Sequence, residues 1–77
     1  MQIESSLTVD DDEKYFQSKL TMSAGKPGTA EIAMATSAVW DEAMRDGENS
    51  MIANVTISII VTRNIVVATL TGWNNNG

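Results

Sequence analysis

The chain has no cysteine and no histidine, a single proline, and only five basic residues among 77. Without cysteine there can be no disulfide and no thiolate metal site. Without histidine the commonest general base and the commonest transition-metal ligand are both missing. A domain of this length buries only about 60% of the surface its unfolded chain exposes, so extra burial is expected from a partner or from a second copy. The five bases face ten acids, for a net charge of −5. Residues 1–48 hold all ten acids and four of the bases, a net of −6, and the last third carries only Arg63. Direct nucleic-acid binding needs Lys and Arg to displace counterions and is not expected. A basic protein partner suits this field.

Long apolar runs are also missing. A membrane-spanning helix needs roughly 20 apolar residues, whereas the charge-free run Asn49–Thr62 has 14 and includes Asn54, Thr56 and Ser58. The opening stretch MQIESSLTVDDDEK has neither a basic nor an apolar region of the kind that directs secretion, so a cytoplasmic location is expected. The triplet Asn54-Val55-Thr56 matches a glycosylation acceptor, but without a secretion signal it is read as chance.

What is present is strong alternation. In QIESSLTV, Ile3, Ser5, Leu7 and Val9 share one face. In YFQSKLTMS, Phe16, Ser18, Leu20 and Met22 oppose Tyr15, Gln17, Lys19 and Thr21. Period two predicts two half-buried strands. Pairing Val9 with Phe16 leaves Asp11–Lys14 as a four-residue loop and sets Leu7 opposite Ser18, Ser5 opposite Leu20, and Ile3 opposite Met22.

AGKPGT then interrupts the pattern, and TAEIAMATSAVWDEAMRDG carries helical punctuation. Thr29 is a candidate N-cap, Glu31 suits the first turn, and Gly47 suits the residue after the end. At 100° per residue Ile32, Ala33, Ala35, Val39, Trp40, Ala43 and Met44 share half of the wheel, which predicts an amphipathic helix. Its many alanines allow close approach to a sheet, with Ile32, Val39 and Trp40 as the larger anchors.

The stretch MIANVTISIIVTRNIVVATLTGW alternates and then becomes apolar on both faces. A turn at Arg63-Asn64 resolves it into a hairpin, with Thr62 facing Ile65, Val61 facing Val66, Ile59 facing Ala68, and Ile57 facing Leu70. One unbroken strand from 51 to 71 would exceed the usual three to ten residues. The other face then stacks Thr56 on Thr71 and Ser58 on Thr69. It also carries an apolar cluster of Ile60 opposite Val67 with Ile65 beside them, and Trp73 opposite Asn54.

The expected architecture is therefore α+β: a two-layer ββαββ domain over residues 1–73, with one amphipathic helix on a four-stranded antiparallel sheet and a flexible polar tail at 74–77. At least one strand of the second hairpin is expected to be central.

Chemistry is sparse. The turn Asp10, Asp11, Asp12 and Glu13 is the densest cluster, but it lacks the ligand spacing and the glycine of a calcium loop. No metal site and no cofactor are expected. Asp41 with Glu42, and Asp46 with Glu48, have no histidine partner or nucleophile beside them. The glycines of AGKPGT lack phosphate-loop spacing, so an enzyme is not expected. Two readings remain. One is a small acidic inhibitor or adaptor, of the general character of phage-encoded proteins, docking on a basic and even nucleic-acid-handling partner through Asp10, Asp11, Asp12 and Glu13. The other is a self-assembling component, a homodimer or higher oligomer, joined through the outer sheet face or an edge by Ile60, Ile65, Val67 and Trp73.

Overall fold

In a computed structural model the described residues are 2–10, 13–45 and 52–75. Strands β1 (Gln2–Asp10) and β2 (Glu13–Ser23) lead to helix α1 (Thr29–Met44), followed by β3 (Ile52–Val61) and β4 (Ile65–Asn75). The four strands form one antiparallel sheet in the order β1-β2-β4-β3. β2 and β3 thus run parallel with β4 between them, and α1 is the crossover that parallel strands require. The two-layer α+β architecture read from the pattern is the one observed.

The helix lies over the two central strands. Phe16, Leu20 and Met22 of β2, Val66, Ala68 and Leu70 of β4, and Ala35, Val39 and Ala43 of α1 make the buried core. Leu20, Leu70, Val39 and Val66 are fully enclosed, each contributing about 1.5–3 kcal/mol by leaving water. The helix-facing residues of β3, Val55, Ile57 and Ile59, pack against this core only in part. Sixteen helical residues span about 24 Å, whereas the eleven-residue central strands span about 36 Å. The helix is too short and too narrow to cover its sheet, and both edges and one end stay open.

The second hairpin has the register the pattern predicts, from Val61↔Val66 through Ile57↔Leu70 to Thr56↔Thr71. Thr62 N–H donates to Ile65 O at 2.9 Å to close it. Beyond Thr56 the register shifts by one, so Trp73 faces Ala53 and not Asn54. The cause is Asn54, whose φ of 55° places an extra residue in β3 as a bulge; asparagine tolerates this left-handed conformation.

The first hairpin differs from the expectation. The pairs are Leu7↔Phe16, Ser5↔Ser18 and Ile3↔Leu20, a slip of two residues that leaves every residue on its predicted face. Lys14 and Glu13 are strand residues paired with Val9 and Asp10, so only Asp11 and Asp12 connect the strands; these two lie outside the described residues. The observed register places apolar residues opposite one another, where the expected one set Leu7 and Leu20 against serines. β4 also runs past residue 73: Asn74 and Asn75 pair with Lys14 and Glu13, because β2 extends far enough to give them a ladder.

The helix begins one residue earlier than the Thr29 cap implies. Gly28 is the N-cap, and its N–H donates to the Glu31 carboxylate at 2.7 Å. Gly47 lies outside the described residues. Trp40 is not a core anchor: it is 44% exposed. The buried line runs through Ala35, Val39 and Ala43, rotated from the centre of the apolar half-wheel, so Ala33 and Trp40 fall on an exposed flank.

Candidate functional site

Three surfaces remain after the helix has covered the central strands. The first is the outer, helix-free face of the sheet. Gln2, Glu4 and Ser6 of β1, Gln17, Lys19 and Thr21 of β2, and Thr69 and Thr71 of β4 give it a polar middle, with shallow hollows of about 180 and 60 Å³ around Glu4 and Lys19. Ligand pockets usually span about 300–1,000 Å³, so these hollows are too small for an enclosed substrate.

The apolar residues of this face gather at its two ends. Ile60, opposite Val67, is 60% exposed. Ile65 lies two residues along β4 from Val67, so the cluster read from the sequence comes together. Trp73 does not join it. Six residues along the strand, about 20 Å away, it lies instead across from Tyr15. The two rings are 4.9 Å apart between centroids and tilted by 58°, an arrangement aromatic pairs favour. Trp73 is 39% exposed. Tyr15 belongs to this site and was missed, because the β2–β4 pairing that joins it to Trp73 spans most of the chain.

The acidic turn lies at the same end. Asp10 pairs with Glu13, Glu13 also pairs with Asn75, and Tyr15 with Trp73 follow two positions along. By backbone position the carboxylate-bearing segment and the aromatic pair thus share one end of the sheet. Asp11 and Asp12 complete that turn in sequence but lie outside the described residues. The other acidic pair, Asp46 and Glu48, also lies outside them. No group of three metal-ligating side chains occurs among the described residues.

The second surface is a groove of about 420 Å³ between α1 and β1, lined by Ile3, Ala38, Asp41, Glu42 and Arg45. Its central acid is already engaged: Glu42 accepts from Ser5 Oγ at 3.4 Å and pairs with Arg45 at 3.4 Å. The carboxylate most nearly enclosed in this groove therefore has its cation in place.

The third surface is the open edge of β3 with the flank of α1 beside it. Ala38, Asp41, Glu42 and Arg45 line the β1 side of the helix. Trp40, about 160° from Glu42 on the wheel, consequently overhangs the β3 side. No helix among the described residues is long and apolar enough to cross a membrane. No protein-family model, no curated protein and no solved structure matches the chain.

Proposed function

We propose that the chain is a small, non-catalytic protein-binding module, an inhibitor or adaptor, that docks on a basic protein surface with the end of its sheet. The observation that carries this reading is the Tyr15–Trp73 pair, an exposed tryptophan against a half-buried tyrosine, on the end that also carries the acidic turn. Tryptophan and tyrosine are enriched among the residues that dominate binding energy. Carboxylates around such an anchor steer a basic partner and fix its orientation. The net charge of −5 supports the same partner chemistry, including a basic channel of a nucleic-acid-handling protein.

The test is capture from the native host by the immobilised wild-type chain, beside a Trp73→Ala variant and an Asp11→Arg/Asp12→Arg double variant. The reading expects a specific protein with a basic surface, lost at about 1 M salt, where screening shortens to about 3 Å, and depleted at least tenfold with either variant. Capture that persists in salt and in both variants would contradict it.

A further inference from the structure

The edge of β3 is the least defended boundary of the molecule. Natural proteins protect edge strands with charges, prolines or bulges. β1, the other edge, carries Glu4 and Asp10; β3 carries no charged residue and no proline from Ile52 to Val61. Its one protective device is the bulge at Asn54, which leaves Thr56–Thr62 straight and open.

The hydrogen-bonding groups of this segment have a definite orientation. Thr62 N–H points into the molecule, at Ile65 O. Because alternate residues of an antiparallel strand point to opposite sides, Ser58 and Ile60 also turn toward β4. The N–H and C=O of Ile57, Ile59 and Val61 turn outward to the open edge. The side chains of these same three residues form the helix-facing row that α1 leaves partly uncovered, with Val61 42% exposed.

We propose that two copies of the chain join here. β3 pairs antiparallel with β3 of a second copy about a two-fold axis through Ile59 and perpendicular to the sheet. Ile59 then faces Ile59 of the second copy, Ile57 faces Val61, and Thr56 faces Thr62. Every outward N–H of the three residues meets an outward C=O, and the unbulged segment is used from end to end. The axis keeps both helices on one side of a continuous eight-stranded sheet. The two apolar rows merge into one floor between the helices, and a Trp40 from each copy flanks it.

A second copy is the occupant that fits an uncharged edge able to pair with itself. Chains of net charge −5 repel one another, yet all ten acids lie in residues 1–48 and the only ionisable side chain from residue 49 onward is Arg63. Among the described residues β3 carries no carboxylate, so two copies pair along it without setting acids of that strand against one another. The edge is also self-complementary, which a two-fold interface requires. The seam is separate from the Tyr15–Trp73 end, so dimerisation and partner binding fail independently. So short an interface belongs below about 1,200 Å², with dissociation on the order of tens to hundreds of micromolar.

Sedimentation equilibrium from about 10 μM to about 1 mM, a span that brackets this affinity, combined with amide hydrogen exchange, tests the proposal. The wild-type chain should pass from monomer to dimer, and the Ile57, Ile59 and Val61 amides should gain protection as concentration rises. Val61→Lys sets an ammonium against the apolar row, and Val61→Pro removes an outward N–H that β4 does not use. Each should weaken association at least tenfold while leaving the circular dichroism spectrum unchanged. Thr21→Lys on the outer face should leave association as it is. A monomer throughout the range, a dimer whose Ile57, Ile59 and Val61 amides stay unprotected, or unchanged association of folded Val61→Lys would each overturn it.

Discussion

Two residues of the sheet stand out for what they lack or tolerate. Ser18 is completely buried between Ser5 and Leu70, and its hydroxyl has no hydrogen-bond partner among the described residues. An enclosed polar atom without a partner costs about 1–3 kcal/mol. Ser18→Ala is therefore expected to stabilise the chain by about 1 kcal/mol in urea unfolding; a loss of stability would mean that the hydroxyl is satisfied. Asn54 is the opposite case, a residue whose side chain suits its left-handed backbone. Asn54→Val should cost about 1–2 kcal/mol, whereas Asn54→Gly should be close to neutral, and equal losses would argue against the bulge. Both features were hidden in the sequence. Ser18 reads as one more member of an alternating strand, and nothing in IANVTIS marks where an extra residue enters. Trp40 shares the apolar half-wheel in sequence but stands on the exposed flank of the helix. Helical period gives the breadth of an apolar face, whereas the sheet decides which line of that face is pressed against it, and here the alanines allow the closest approach.

Among the elements, the two hairpins differ in how far pattern determined their register. Alternation fixes which face a residue lies on, and a one-residue slip would turn every side chain over. A two-residue slip changes no face at all. Arg63-Asn64 left one convincing turn position, and the pairing from Val61↔Val66 to Thr56↔Thr71 follows from it. The run of acids in DDDEK permitted either a four-residue or a two-residue connection, and alternation could not separate them. The strand order was likewise only partly legible: high apolar density pointed to a central strand in the second hairpin, and β4 is that strand. The helix start depends on Glu31, whose carboxylate accepts the Gly28 N–H. Glu31→Ala should lower stability by about 0.5–1 kcal/mol, the usual worth of such a cap. Thr29→Ala should change it little, since Thr29 is the first helical residue and not the cap. The reverse order of effects would restore Thr29 as the cap.

At the scale of the whole molecule, a single narrow helix on one face of a long sheet leaves both proposed surfaces open. The radius of gyration is 13.2 Å, above the roughly 11.5 Å expected of a compact chain of this length, and the longest dimension is 44 Å against 18 Å in the other two. The Tyr15–Trp73 pair lies on the face that carries no helix, and the helix-facing side of β3 is only half covered. The residues read from the sequence as one interface are split in space: Ile60, Ile65 and Val67 at one end, Trp73 at the other with a tyrosine no local pattern could assign to it. If copies join through β3, unfolding should depend on concentration, because dimerisation stabilises only the folded chain. The melting temperature should rise by a few degrees between about 10 μM and about 1 mM, and a constant value would count against association.

The central claim is that β4 is enclosed by β2 and β3 while β3 offers its outer edge to solvent. Amide hydrogen exchange at a concentration of about 1 μM, well below the expected association range, tests it directly. The account predicts an alternating record along β3, with Ser58, Ile60 and Thr62 protected and Ile57, Ile59 and Val61 exchanging freely. Uniform protection of all six in that dilute sample, or the inverse alternation, would contradict it.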